Sequence, residues 1–264
     1  MIQYLIILLD NTATSYCHYE NTSHEKKLIS IEDLKQGIFY GMKENLMIQF
    51  VYPDYELSQE YKEIINTIDH SDIVSSLCED DELPKNADVI IYHNWSILQV
   101  DTFNRNCIYT LRTSKEELFE KYKLLKRFLE ISKRVNLVIT NIETFTNDDF
   151  KKYAEVLEYL SEVLKVYYVE GKTPQLNILT DRMMLESMNS CNAGVENITL
   201  APDGNYYVCP AFYFLGKCDG SEKSLADICK KGYNVGSLEA GLDIKNQQLY
   251  RLDHAPICRN CDAY

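Results

Sequence analysis

Positive charge is the scarcest resource in this 264-residue chain: 27 Lys and Arg stand against 40 Asp and Glu, so the formal charge is 27 − 40 = −13. A surface of that sign repels phosphate backbones and anionic lipid heads, which excludes nucleic acid and membrane surfaces as expected partners. Long apolar runs are missing too. The longest early one, residues 4–9, is far short of the roughly 20 residues that cross a bilayer, and no Lys or Arg precedes it as in a signal peptide. The expectation is a cytoplasmic protein with no anchor. Only 10 Gly and 6 Pro occur, and no repeat or low-complexity stretch is visible, which excludes collagen and disorder. Nine Cys is an odd number, and a reducing compartment does not maintain a disulfide framework. Metal ligation, redox chemistry or burial are the roles left for those thiols.

What is present is ordinary globular material. Apolar residues make up 45% of the chain, and 20 Tyr with 9 Phe supply bulk for a core. At about 150 residues per domain the length suggests roughly 1.8 domains, a large one with a small appendage. Residues 4–9 form a continuous apolar run of strand length, as for a strand covered on both faces. Ser30 caps a helix over residues 30–45, with Leu34, Ile38 and Met42 on one stripe. Residues 46–51, 89–92, 107–111, 137–140 and 166–169 read as further strands, and residues 60–68 as a helix. Ser114 with Glu117 forms a capping box for a helix running to about Val135. Another helix opens at Asp148 and Asp149. Alternation of strand and helix up to about residue 180 implies right-handed crossovers and a parallel sheet, either open or curled into a partial barrel. Beyond that, residues 197–203 read as a strand entering an Asp203-Gly204 hairpin turn. The expected division is 1–182 and 183–264.

Six of the nine Cys lie past residue 190. Cys191 is followed by twelve residues, Gly204, four residues and Cys209, and Cys258-Arg259-Asn260-Cys261 stands near the C-terminus. The hairpin returns Cys209 toward the region of Cys191, and a two-residue spacer lets Cys258 and Cys261 grip one ion or cluster. Four thiolates suit an iron-sulfur cluster or tetrahedral zinc. The alternative is ordinary buried thiols. Cys218 and Cys229 are further candidate ligands without a close partner, whereas Cys78 and Cys107 read as structural. His254, four residues before Cys258, is a candidate to replace a Cys ligand, with a solvated surface His as the alternative. Cys17-His18 is a candidate redox or nucleophilic pair if a loop lets the two side chains converge. His93-Asn94-Trp95 follows a strand on the side where parallel sheets build sites. His24 and His70 have no suggestive company.

The spacing from Cys191 through Gly204 to Cys209 resembles the opening of the twitch or SPASM extension of radical SAM peptide-modifying enzymes, over about residues 185–264. The resemblance implies a partial (β/α) barrel of radical SAM type, residues 1–182, with a small C-terminal cysteine-rich domain, residues 183–264. It also implies one auxiliary 4Fe–4S cluster on Cys191, Cys209, Cys258 and Cys261, with zinc as the alternative. In that family the first strand leads into a Cys-x-x-x-Cys-x-x-Cys loop that carries the SAM-cleaving cluster. Aligning Cys17 with the third position leaves Asp10 and Thr14 in place of the first two, and residues 50–54 lack the SAM-binding Gly-Gly-Glu. SAM cleavage is therefore not expected, and Cys17 is the residual catalytic candidate. The combination is most similar to the CXXX repeat peptide maturases. That similarity implies maturation of a ribosomally made, Cys-rich precursor peptide, with a partner maturation protein. A noncatalytic peptide-binding scaffold with a structural metal site is the alternative.

Overall fold

The computed structural model describes residues 2–21, 25–75, 87–95, 106–183, 191–215, 234–251 and 254. In chain order the elements are β1 (Tyr4–Leu8), α1 (Ile31–Lys43), β2 (Met47–Val51), α2 (Gln59–Ile65), β3 (Ser71–Ser75), β4 (Val89–Tyr92) and β5 (Ile108–Thr113). They continue with α3 (Lys115–Lys121), α4 (Leu125–Ile131), β6 (Arg134–Ile139), α5 (Asn147–Val169), β7 (Gln175–Leu176) and β8 (Asn197–Leu200). Last come β9 (Asn205–Tyr207), α6 (Pro210–Leu215), β10 (Asn234–Ser237) and β11 (Gly241–Leu242). The architecture is mixed α/β with mostly parallel strand pairs. Two compact units divide it: residues 1–14, 20–72 and 186–264, and residues 15–19 and 73–185.

In the first unit the strand order is β11-β10-β9-β8-β1-β2. β1 pairs in parallel with β2 on one edge and with β8 on the other, where Tyr4 faces Asn197 and Ile7 faces Leu200. Both faces of β1 are covered, since Leu5, Ile6, Ile7 and Leu8 are all buried, as its unbroken apolar run requires. Each fully buried aliphatic side chain contributes on the order of 1.5–3 kcal/mol. One face packs on α1, whose Ser30 cap accepts from the Asp33 amide and whose Leu34 and Ile38 enter the same core as Leu5, Ile7 and Leu200. Gly37 lets that helix come close, because a Cβ there would stand 2.4 Å from Leu200 Cδ2. The expected hairpin is present: β8 and β9 are antiparallel, and Gly204 turns at φ +76°. Because β8 lies against β1, strands β8 to β11 share a sheet with the N-terminal strands.

The second unit holds most of β3 and all of β4 to β7, in that order and in parallel. Its core includes Tyr109, Leu111, Phe128 and Leu160, with the rings of Tyr109 and Phe128 edge to face at 5.3 Å. Two expectations need correction, and one strand was not expected. Residues 166–169 are the last turn of α5 and not a strand, because Leu160, Val163, Leu164 and Tyr167 keep the helical stripe buried while Val166 and Val169 face solvent. The helix stops at Gly171, φ +79°, where the Lys172 amide donates to the Tyr167 carbonyl as in a Schellman end. The helix expected to run to Val135 is cut into α3 and α4 by a 3₁₀ turn at Tyr122–Leu124, and β6 already begins at Arg134. β3 was not legible, having only Ile73 and Val74 as apolar residues.

Phe128 is fully buried against Tyr109, so Phe128→Ala should cost roughly 3–5 kcal/mol. Urea unfolding monitored by circular dichroism measures this, and a loss below about 1 kcal/mol would contradict the core assignment.

Candidate functional site

Two of the expected thiols, Cys191 and Cys209, flank the β8–β9 hairpin of the first unit along the chain. Thr199 faces Tyr207 and Leu200 faces Tyr206, and β9 ends at Tyr207, two residues before Cys209. The Asn197 side-chain amide donates to the Cys191 carbonyl at 3.2 Å. The turn between them is packed: a Cβ on Gly194 would lie 2.9 Å from Val208 Cγ1, one residue before Cys209. Cys191 is exposed and Cys209 partly so. The C-terminal segment runs over the same turn. Gln247 donates from Nε2 to the Val195 carbonyl at 2.9 Å, and Tyr250 packs beside Gly194. The last described residue, His254, is exposed, with its amide on the Arg251 carbonyl. Cys258, Cys261, Cys218, Cys229 and Cys78 lie outside the described residues. Among the described residues no group of three or more His, Cys, Asp or Glu is arranged around a common point. Cys191 and Cys209 fit a thiolate centre in donor type.

The loop after β1 holds Asp10 and Thr14 where the resemblance places two cluster ligands, and it is closed by hydrogen bonds. Asp10 is fully buried. Its Oδ1 accepts from the Thr12 amide at 2.8 Å and the Thr12 hydroxyl at 2.9 Å, and its Oδ2 accepts from Tyr55 at 3.1 Å. Burial, and then the Asp10 carboxylate, push the Tyr55 hydroxyl well above its ordinary pKa. Asn21 clamps the loop from outside, its amide donating to the carbonyls of Asn11 and Ala13 at 2.7 and 2.9 Å. Tyr213 of α6 donates to Asn11 Oδ1. Tyr213 is also pushed far up, by burial first and then by Asp203, Tyr207 and Asp10. Tyr207 donates to Asp203 Oδ2 at 2.8 Å and stacks edge to face with Tyr213 at 5.4 Å. Oxygen donors sealed in this way are a poor match for a reduced cubane, which takes thiolates.

Cys17 belongs to the second unit, in an irregular segment and partly exposed. Arg112, buried at the end of β5, donates through its guanidinium to the carbonyls of Cys17 and Tyr19. His93 follows β4, and desolvation and then the Arg112 charge push its pKa down. Trp95 is buried and donates from Nε1 to Thr113 Oγ1 at 3.0 Å. Arg112 was missed by sequence reading, because nothing in a strand pattern marks an inward-facing Arg. Cys107 is structural as expected: its buried thiol donates to the Ala87 carbonyl at 2.7 Å, and burial raises its pKa. His70 has company after all, with Nδ1 2.8 Å from the Ile68 carbonyl and Nε2 3.4 Å from Asp72.

No family model and no curated protein matches this chain. Among the described residues no helix is long and apolar enough to cross a membrane.

Because folding holds the His93 pKa below the unfolded value of about 6.5, the unfolded chain binds the extra proton as pH falls through that value. Stability is therefore full above pH 6.5 and declines below it. Wild type should lose more stability than His93→Gln between pH 7.5 and 5.5, by a modest margin because solvent screens the accessible ring. Equal losses in urea midpoint for the two proteins would contradict this.

Proposed function

We propose that this chain acts in the maturation of a ribosomally made, Cys-rich precursor peptide, on a partial (β/α) barrel and without cleaving SAM. Its centre is one auxiliary 4Fe–4S cluster, or zinc, held by Cys191, Cys209, Cys258 and Cys261. The observation that supports this reading is the packing around the turn after Cys191: the Asn197 amide holds the Cys191 backbone, a Cβ on Gly194 would lie 2.9 Å from Val208, the residue before Cys209, and Gln247 and Tyr250 cross the same turn. A cluster there supplies electron transfer or a coordination site for a substrate thiol, while zinc supplies a staple. Cys17, with Arg112 bonding its carbonyl, is the candidate for covalent or redox contact with the peptide. The chemistry proceeds in the cytoplasm, with a partner maturation protein.

A second reading has its own support. The hydrogen-bonded burial of Asp10 in place of a cluster ligand favours a noncatalytic scaffold that binds and presents the peptide. Anaerobic isolation separates the metals: about four iron per chain with broad absorption near 400 nm supports the cluster, and one zinc without it supports the staple. Processing of a Cys-repeat peptide in a reconstituted system should fall in both Cys209→Ala and Cys17→Ala if the chain is catalytic. Unchanged processing in both variants contradicts the catalytic reading.

A further inference from the structure

The exposed face of α1 carries a pattern that neither the thiol centre nor the core uses. α1 buries Leu34, Gly37, Ile38 and Gly41. On the outer side Lys35, Phe39 and Lys43 follow at spacings of four. A rise of 1.5 Å per residue places the two lysines about 12 Å apart along the axis, with the phenyl ring midway. Phe39 is 67% exposed, a large apolar surface left in water. Beside it runs a cavity of about 370 Å³, with α1 as one wall, Leu238 and Gly241 of the β10–β11 hairpin as the other, and Tyr40 and Tyr206 between them. Those two rings pack at 5.3 Å. Among the described residues neither Lys35 nor Lys43 is in an ion pair, although acidic side chains outnumber basic ones across the chain.

We infer that this groove binds an extended segment of a partner polypeptide with carboxylates at positions i and i+4 and an aromatic side chain at i+2. The spacing decides the partner. In an extended chain i, i+2 and i+4 project from one face and span about 13 Å at 3.3 Å per residue, which matches the distance from Lys35 to Lys43. Each carboxylate then meets one ammonium, and the aromatic side chain covers Phe39 and enters the groove toward Tyr206. Glu32, one turn before Lys35 and accepting from Gln36 at 2.9 Å, opposes a third carboxylate at that end and so limits the acidic run. The net charge of −13 repels an acidic peptide at long range, so the attraction is confined to short-range pairing with the two lysines and to the contact with Phe39.

The test uses the full chain and a fluorescein-labelled peptide, Gly-Ser-Glu-Thr-Phe-Thr-Glu-Ser-Gly, titrated by anisotropy at low salt. Saturable binding is expected, weakened at least about tenfold by the double variant Lys35→Glu with Lys43→Glu and by Phe39→Ala, each about 1.4 kcal/mol or more. A peptide with both Glu replaced by Lys, or with the Glu residues moved next to the Phe, should not compete. Both variants alter exposed side chains, and unchanged circular dichroism confirms that they fold. Absent binding, equal binding of the Lys peptide, or wild-type affinity in both variants overturns the inference. So does sedimentation that shows a wild-type dimer converted to monomer by Phe39→Ala, which would make the groove a self-association surface.

Discussion

The parallel pairing of β1 with β8 organises the first unit. β1 alone cannot satisfy both of its edges or bury both of its faces, and β2 supplies only one edge. By taking a strand from almost two hundred residues downstream, β1 draws β8 to β11 onto its own sheet. The register that pairs Ile7 with Leu200 then fixes where the hairpin turns. An unpaired strand edge in that position would leave a row of amides and carbonyls without partners. The apolar core and the placement of the hairpin are therefore two results of one pairing.

The same strand explains the other polar site. β1 ends in a loop whose carboxylate, Asp10, is buried by the elements that follow it, and a buried carboxylate needs donors. Thr12, Tyr55 and the clamp from Asn21 supply the local order, and Tyr213 ties in α6. Hydroxyl and amide donors make that loop rigid and oxygen-rich. Cys191 and Cys209 instead flank the β8–β9 hairpin, before β8 and after β9.

Much of the fold was legible because its signals are local. The apolar run of β1, the Ser30 and Ser114 caps and the Asp203-Gly204 turn each act over a few residues and appear where expected. Residues 166–169 failed because Val-Tyr-Tyr-Val has strand composition, while the deciding facts were the stripe from Leu160 to Tyr167 and the left-handed Gly171. The cysteine spacing pointed to the hairpin. The Asp10 network was not readable, because Tyr55 and Tyr213 approach from 45 and about 200 residues away. Arg112 was hidden for the same reason, its carbonyl acceptors lying more than 90 residues back.

Metal-edge X-ray absorption on anaerobically isolated protein tests the central claim most directly, since it counts the sulfur atoms around the metal. The account predicts protein sulfur ligands near 2.3 Å, contributed by four cysteines, with the signal lost in Cys209→Ala. A metal ligated by nitrogen and oxygen, or a spectrum unaltered by Cys209→Ala, would contradict it.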